Sequence, residues 1–227
     1  MRVTDPSTWS IAKNSLAKIL RPFVRHWRDI QRVRKIGEDI SRVLPHLAKA
    51  RFTKGSYALD LGANRGDFSV WCLEHGMNVV AIEPHPDAFS YLVNRTKKSR
   101  NILRLQAAAS STNKKSSILV HPQASQDQLG FSIRSTIKFE KRGFVPYAIC
   151  LELNFLEILE SLGEVKVLKV DIEGSESEIW PIIKSHKNKI EFLLMEIHDQ
   201  IHPNLREEID KFIEINELES RWTTKWV

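Results

Sequence analysis

Four polar residues in the second half of the chain have the types and the spacing that proton transfer requires. Asp171 and Glu173 follow one apolar run, and Glu196 and His198 follow another. The members of each pair are two residues apart, so in an extended chain they point to the same side. If the two runs are neighbouring parallel strands, the four side chains converge at one sheet edge. There they could take a proton from a hydroxyl group or bind a divalent cation.

Two versions of this chemistry stay open at the level of the sequence. In the first, Asp171 or His198 is a general base and no metal takes part. In the second, a divalent cation such as Mg²⁺ lowers the pKa of the acceptor hydroxyl, with Asp171, Glu173 and Glu196 as its ligands. The first version is favoured narrowly, because the oxygen-rich set permits a metal without requiring one. In the interpretation without chemistry, Asp171 caps the next helix and the other three side chains are solvated.

A glycine-rich turn, Asp60-Leu-Gly-Ala-Asn-Arg-Gly66, directly follows the apolar run that begins at Tyr57. Its G-x-x-x-G spacing differs from the G-x-G-x-x-G of dinucleotide-binding turns, and no Gly-Lys-Ser/Thr follows as in a P-loop. The carboxylate of Asp60 would repel a pyrophosphate and suits a ligand with positive charge. S-adenosylmethionine fits, because it has an ammonium and a sulfonium group and no phosphate.

A second carboxylate, Glu83, stands at the end of the next apolar run. In this position it could accept hydrogen bonds from both hydroxyls of a ribose, as in nucleotide-binding folds. The alternative is that Asp60 caps a helix and Glu83 faces solvent. We favour the ligand, because both residues fall where an open parallel sheet binds one.

Strands and helices alternate along the part of the chain that carries these residues. Apolar runs predict strands at residues 56–61, 78–82, 102–106, 165–170 and 190–197, and helical periodicity predicts helices at 67–75, 87–97, 175–185 and 204–215. Ser175 and Glu178 have the spacing of a capping box, and Arg221–Val227 can supply one further strand. This alternation predicts an α/β fold, with a mostly parallel sheet, helices on both faces, and ligands at the carboxyl ends of the strands.

Residues 110–150 interrupt the alternation. The stretch is polar and rich in serine, with short strands predicted at 117–121 and 147–151. Connections this long inside a compact domain usually carry function. We interpret the stretch as an insertion or long active-site loop that binds the acceptor. On position alone, the candidate contacts are Gln126, Gln128, Arg134 and Lys138.

Residues 1–50 form a basic amphipathic helical extension in this interpretation, and residues 51–227 form the α/β domain. Residues 1–54 contain 13 Lys and Arg against 4 Asp and Glu, a charge of +9, whereas the remaining residues contain 21 against 24, a charge of −3. Apolar residues recur at helical spacing, with Pro22 expected to split the segment into two helices and Pro45 to end it. The apolar stripe must be buried against the domain, against a second copy in a homo-oligomer, or against a membrane surface. In the last case, Trp9, Phe23 and Trp27 would enter the interface.

Several classes of protein are excluded by composition. The chain of 227 residues has no apolar run long enough to span a membrane, and its polar first ten residues lack the apolar core of a secretory signal. The two cysteines, Cys72 and Cys150, have no zinc-site spacing and predict no disulfide framework. We therefore expect a cytoplasmic protein, or one at the inner face of a membrane if residues 1–50 bind there.

Several motifs together make the sequence similar to the FkbM-type methyltransferases over roughly residues 55–200. The less specific ones are the glycine turn and Glu83-Pro-His-Pro86, with Leu92 and Asn94 downstream; the distinctive ones are Lys169-Val-Asp-Ile-Glu-Gly-Ser-Glu176 and Met195-Glu-Ile-His198. The resemblance implies a Rossmann-like class I methyltransferase fold that uses S-adenosylmethionine. It further implies O-methyl transfer to a hydroxyl of a sugar in a glycan, glycolipid or natural product.

Carried over by position, the resemblance implies which residues hold the cofactor. The methionine end would be surrounded by Asp60, Gly62, Asn64 and Gly66, and the ribose would be held by Glu83. Many class I enzymes have an acidic residue after the third strand that contacts adenine. Here the sequence reads Gln106-Ala107, so Gln106 or the backbone would take that role. The chain ends soon after the last predicted helix, so a closing seventh strand is not expected.

Two other functions remain as alternatives. The basic N-terminal segment suggests a nucleic-acid methyltransferase, but the sequence has no N-P-P-Y-type motif and no cysteine nucleophile motif, so nucleic acid is not expected as a partner. The chain could also be a non-catalytic member of the fold that binds the cofactor or a partner. The presence of both Asp60 and Glu83 argues against a loss of cofactor binding.

Overall fold

The computed structural model describes the backbone of residues 6–120, 135–136, 145–198 and 203–226, and the side chains of residues 24–119, 145–198 and 203–226. In chain order, strands β1 to β10 are Tyr57–Leu61, Asn78–Ile82, Ile102–Leu105, Ala107–Ser110, Lys114–Val120, Ser135–Thr136, Val145–Asn154, Val165–Val170, Ile190–Met195 and Trp222–Thr223. Helices α1 to α7 are Pro6–Val43, Pro45–Lys49, Asp67–Glu74, Pro86–Thr96, Phe155–Leu162, Glu176–Ser185 and Leu205–Ile215.

The central sheet has six strands in the order β10-β9-β8-β1-β2-β3, and all of its pairings are parallel. The chain builds outward from β1 in one direction and then from β8 in the other. The order therefore reverses between β1 and β8, which is the switch point where open α/β sheets bind ligands. The predicted fold class, a mostly parallel Rossmann-like sheet with helices on both faces and a helix at the N-terminal end, is confirmed.

Each face of this sheet is covered by its own set of helices. One apolar core lies under α5, α6 and α7 and includes Phe155, Trp180 and Ile209. The other lies under α1 to α4 and includes Ile40 and Trp71. Because the strands are covered on both faces, they are apolar almost throughout, as the near-complete burial of β1, β2, β8 and β9 shows.

The N-terminal segment differs from its prediction in one respect. Helix α1 continues through Pro22 from Pro6 to Val43, so the predicted split into two helices is wrong. A proline removes one helical hydrogen bond, but the apolar period continues on both sides of it. Pro45 does end the helix, as predicted, and it begins the short helix α2.

The second half of α1 packs against the α/β domain. Val33 and Ile40 of α1 are buried in the same core as Trp71 of α3, and so are Leu44, which follows α1, and Leu47 of α2. Of the three predicted fates of the apolar stripe, burial against the chain's own domain therefore applies to this half. Among the described residues, no helix is long and apolar enough to cross a membrane.

Residues 107–154 contribute a second sheet, in the order β4-β7-β5-β6. The two short strands predicted in this region correspond to the longer β5 and β7, which pair antiparallel. Strand β4 pairs parallel with β7 and directly follows β3, so the chain leaves the central sheet at Gln106 and enters the second one. The region is thus largely sheet in its described part.

Candidate active site

The glycine turn lies against the end of β8. Gly62 has a φ of +73°, and a side chain there would overlap the backbone carbonyl oxygen of Asp171. Gly66 has a φ of +79°, and a Cβ atom there would lie 2.5 Å from Cδ1 of Leu92. Only glycine meets both requirements without strain. The turn therefore approaches β8 at the switch point of the sheet.

Glu83 stabilises the other side of this turn. Its carboxylate accepts the backbone N–H of Asn64 at 2.7 Å and the backbone N–H of His85 at 2.8 Å. Burial raises the pKa of Glu83 to about 7, against the lowering effect of these two hydrogen bonds. The residue is 5% exposed. It is therefore a preorganised carboxylate at the end of β2 and not a solvated one.

Lys169 connects the two strands that meet at the switch point. Its buried ammonium lies 3.4 Å from Oδ1 of Asp60 and 3.3 Å from Oδ2 of Asp171, and it donates to the carbonyl oxygen of Gly62 at 2.6 Å. Burial lowers the pKa of Lys169, but Asp171 and Asp60 outweigh that effect, so the pKa is raised and the amine stays charged.

Asp60 is completely buried beneath the turn. Besides the ion pair with Lys169, its carboxylate accepts a hydrogen bond from the Ser69 hydroxyl at 2.6 Å. Burial raises the pKa of Asp60, and Lys169 and Ser69 oppose this. From the sequence, the Asp60 carboxylate was expected to face the positive charge of a ligand. In the structure, Lys169 of the same chain supplies that charge.

His198 lies between two glutamates. Its Nε2 is 3.2 Å from a carboxylate oxygen of Glu173, and its Nδ1 is 2.8 Å from one of the buried Glu176. The hydrogen bonds to Glu173 and Glu176 raise the pKa of His198 to about 10. At neutral pH the ring is therefore a cation that donates both of its N–H groups.

Glu196 completes this cluster beside Asp171. Its backbone N–H donates to the carbonyl oxygen of Val170 at 2.9 Å, which fixes the segment after β9 against β8. Burial and the charge of Asp171 raise the pKa of Glu196 to about 7. The side chain is 32% exposed, so it remains accessible to a substrate.

Three of these side chains lie close enough to share a metal ion. The ligand atoms of Asp171, Glu196 and His198 are all within 4.8 Å of one another. In this structure, however, both ring nitrogens of His198 lie against carboxylates, so a metal at this residue would have to displace one of them. The ammonium of Lys169 already compensates the charge of Asp171. The metal site predicted from the sequence, with Asp171, Glu173 and Glu196 as ligands, stays a prediction.

The second sheet reaches this edge through Tyr147 of β7. The Tyr147 ring stacks on His85, with 4.9 Å between centroids, and its hydroxyl donates to the Asp87 carboxylate at 2.7 Å. His85 is fully buried and caps α4 by accepting the Asp87 N–H at 3.3 Å. Burial lowers the pKa of His85, so it is neutral.

The predicted adenine contacts lie where β3 passes into β4. Gln106 is exposed, whereas Ala107 is buried in the core under α5 to α7. Only the backbone of Ala107 is therefore available to a ligand. Residues Gln126, Gln128, Arg134 and Lys138, named as acceptor contacts, lie outside the described residues.

Two local predictions around α6 are wrong. The chain after β8 is not extended, because Glu173 has a φ of +53°. The Glu173 side chain contacts His198 because the backbone turns at Glu173, and not because residues 171 and 173 alternate along a strand. Ser175 does not cap α6 with its side chain, since its hydroxyl makes no cap hydrogen bond and the Glu178 carboxylate accepts instead from Ser110 at 3.1 Å.

The roles of Lys169 and Glu176 were not predicted from the sequence, although both residues lie in the distinctive motif. A lysine in an apolar strand needs a buried anion, and Asp60 on the neighbouring strand was the available signal. Glu176 gave no such signal, because a glutamate in the first turn of a helix is usually exposed.

The fold and the site define a Rossmann-like α/β protein with a glycine turn and a cluster of ionisable groups at its switch point. The chain belongs to the methyltransferase FkbM domain family, whose model matches residues 60–221. This confirms the family resemblance that the motifs indicated.

The following matches to known proteins are at low sequence identity. The chain is 27% identical over 186 residues to the hexuronic acid methyltransferase AglP of Haloferax volcanii. The matched region covers 79% of this chain and 71% of that protein. The solved structure of the methyltransferase FkbM of Methylobacillus flagellatus KT matches at 17% identity and a TM-score of 0.47, covering 74% of this chain and 39% of that one. The precorrin-6y C5,15-methyltransferase of Geobacter metallireducens GS-15 matches at 14% identity and a TM-score of 0.41, covering 76% and 69%.

Proposed function

We propose that the protein is an S-adenosylmethionine-dependent O-methyltransferase that acts on a sugar hydroxyl in a glycan, glycolipid or natural product. The observation that carries this proposal is the meeting of the glycine turn with the cluster of Asp171, Glu196 and His198 at one switch point. A ligand bound on the turn would have its reactive end beside groups that can accept a proton.

The residues of the turn fit S-adenosylmethionine. Gly62 lets the backbone pass close to β8, Asn64 has a φ of +49° that directs its N–H toward Glu83, and Glu83 offers a buried carboxylate to a ribose. Among the described residues of the turn, none presents the lysine that a phosphate-binding loop would need. When bound, the cofactor supplies an electrophilic methyl group, and the protein positions the acceptor and removes its proton.

Glu196 is the proposed proton acceptor, with Asp171 beside it. A general base works best when its pKa lies near the working pH, and the pKa of Glu196 is about 7. Asp171 contributes by raising that pKa, and the Asp171–Lys169 ion pair fixes its place. Asp171 remains a catalytic candidate, as predicted from the sequence.

His198 takes a different role in this proposal from the one expected. With a pKa of about 10 it cannot accept a proton at neutral pH. It is a positioning residue that compensates the charges of Glu173 and Glu176 and thereby fixes the turn after β8.

The acceptor is proposed to bind on the side of the second sheet. Tyr147 of β7 is hydrogen-bonded to Asp87 at the start of α4, and Ser110 of β4 is hydrogen-bonded to Glu178 of α6. The second sheet therefore borders the ligand edge at two places. The sugar class is supported by the relative from Haloferax volcanii, which is named for its action on hexuronic acid.

Label transfer tests the proposal. The protein is incubated with methyl-labelled S-adenosylmethionine and separate carbohydrate, lipid-linked glycan and nucleic acid fractions, with and without EDTA. We expect label in a carbohydrate fraction, unaffected by EDTA and stable to mild alkali, because a methyl ether resists the alkali that cleaves a methyl ester. Label in nucleic acid, an alkali-labile product or loss of activity with EDTA would each contradict a stated part of the proposal.

The matched variants are Glu83→Ala and Glu207→Ala. Glu83→Ala should weaken S-adenosylhomocysteine binding by about 1–3 kcal/mol, the cost of losing hydrogen bonds to a charged group. Glu207 is exposed on α7, on the opposite face of the sheet from the turn, so its replacement should leave binding unchanged. If calorimetry shows that both variants change the affinity for S-adenosylhomocysteine equally, Glu83 does not contribute to the binding site.

A further inference from the structure

Helix α1 exposes apolar side chains beyond the part that packs on the domain. Val24, Trp27 and Ile30 are 45%, 61% and 50% exposed. They are three residues apart, so they lie along one side of the helix. Val33 and Ile40, further along, are buried. The exposed group is therefore a separate surface, which we call the α1 patch.

The α1 patch lies at the level of the ligand edge. Arg25 donates to the hydroxyl of Tyr91 at 3.1 Å, and that hydroxyl donates to Asp29 at 2.7 Å. Arg95 donates both to the carbonyl oxygen of Asp29 at 3.0 Å and to that of Arg65 in the glycine turn at 3.2 Å. These contacts place the exposed stretch of α1 beside the carboxyl ends of the strands.

Positive charge accompanies the patch. Arg28 is one turn from Val24, and Lys35 is two turns from Arg28, so these exposed basic residues flank the patch on its Val24 side. The first 54 residues carry a charge of +9 in all. Two such ends would repel each other, so the charge favours an anionic partner over a second copy of the chain.

We propose that the α1 patch docks on an anionic membrane surface, with Trp27 and its apolar neighbours in the interface and Arg28 and Lys35 facing acidic headgroups. Amphipathic helices bind membranes through this combination of apolar area and basic charge, and tryptophan prefers the depth of the headgroups. The docked helix would lie at the level of the carboxyl edge of the sheet. This inference does not depend on the reaction that the site catalyses.

Co-sedimentation of the full chain with vesicles tests the inference. Vesicles of phosphatidylcholine and phosphatidylglycerol are compared with vesicles of phosphatidylcholine alone, at low and at high salt. We expect binding to the anionic vesicles at low salt, and its loss at high salt or without phosphatidylglycerol. Arg28→Gln should weaken the partition by about fivefold, which corresponds to about 1 kcal/mol per basic residue near an anionic leaflet.

Trp27→Ala should weaken the partition several-fold by removing apolar area. The matched controls are Lys211→Gln and Ile215→Ala, since both residues are exposed on α7, on the opposite face of the sheet. Melting temperature and S-adenosylhomocysteine binding check that each variant is folded. The inference is overturned if wild type does not bind anionic vesicles at low salt, or if the controls weaken binding as much as the α1 variants. A dimer in light scattering that Trp27→Ala dissociates would assign the patch to a second copy instead.

Discussion

At the scale of single residues, the proposed site combines two groups whose pKa values differ, Glu196 and His198. Glu196 has a pKa of about 7 and His198 a pKa of about 10, although their side chains are 4.0 Å apart. The difference arises because His198 lies between two carboxylates, whereas Glu196 is partly desolvated beside Asp171. Near neutral pH, Glu196 can thus accept a proton, whereas His198 already carries one.

The first prediction concerns the pH dependence of methyl transfer. With cofactor saturating, kcat/KM for the acceptor should rise with pH through about 7 as Glu196 ionises, and fall near 10 as His198 loses its proton. Glu196→Gln should lower kcat by about 10²-fold or more, the usual effect of removing a general base. Glu214→Gln on α7 is the matched control. If kcat/KM of Glu196→Gln still rises with pH through about 7, Glu196 is not the base.

A second prediction concerns stability. Because the folded pKa of His198 is raised from 6.5 to about 10, its stabilising effect is fully present below the unfolded pKa and is lost as pH rises through the folded value. His198→Gln should therefore reduce the free energy of unfolding by about 3 kcal/mol near pH 6, since it leaves the buried Glu176 charge unpaired. The difference should approach zero above pH 10. Urea unfolding of both proteins across this range measures it, and a difference that grows with pH would contradict the assignment.

The types of residue at the site could be predicted from the sequence, but their ionisation states could not. Asp171, Glu196 and His198 follow apolar runs, so their convergence at one edge follows from parallel pairing of β8 and β9. The burial of Glu176 depends on how α6 packs, and that contact changes His198 from a base into a cation. Local spacing carries no information about such a packing contact.

At the scale of elements, the glycine turn fits closely against β8 at the proposed ligand site. Gly62 and Gly76 both have positive φ values, +73° and +78°. A Cβ atom at Gly62 would overlap the backbone of Asp171, whereas a Cβ atom at Gly76 would meet nothing within 4 Å. A side chain at Gly76 would therefore cause backbone strain alone, whereas a side chain at Gly62 would cause backbone strain and a steric clash with Asp171.

The third prediction uses this pair. Gly76→Ala should cost about 1–2 kcal/mol, which is the strain of a left-handed conformation with a side chain. Gly62→Ala should cost clearly more and should also abolish S-adenosylhomocysteine binding, because the turn must move away from β8. Thermal melts and calorimetry measure both effects. Equal stability losses with binding retained in Gly62→Ala would show that the turn has room and is not the ligand site.

The strands of the central sheet were predictable because each is a short apolar run bounded by polar residues; β2 and β8 have the predicted bounds. Helix α5 was not identified from periodicity. Its N-cap, Asn154, whose side chain accepts the N–H of Leu156 at 3.0 Å, directly ends β7. Because no loop separates the strand from the helix, apolar residues continue across the boundary. The apolar spacing changes from that of a strand to that of a helix with no turn residues to mark the change, so α5 could not be recognised.

At the scale of the whole molecule, helix α1 belongs to two environments. From Val33 onward it is part of the core beneath α3, with Ile40 completely buried, whereas Ile30 is 50% exposed in the α1 patch. The boundary between a helical extension and the α/β domain, expected near residue 50, does not coincide with a gap in packing. This raises the question of whether the chain unfolds as one unit.

The last prediction compares two identical substitutions on this helix. Ile40→Ala should lower the free energy of unfolding by about 2–5 kcal/mol, because it opens a cavity in a closed core, and Ile30→Ala should cost far less. If α1 is integral to the domain, Ile40→Ala shifts a single transition seen both by helical circular dichroism and by the near-ultraviolet signal of buried tryptophans such as Trp180 on the opposite face. If α1 were a separately folding extension, only the helical signal would melt earlier and the tryptophan signal would keep its wild-type midpoint. We expect coincident transitions, because Ile40 contacts the core that β1 and β2 close from the other side.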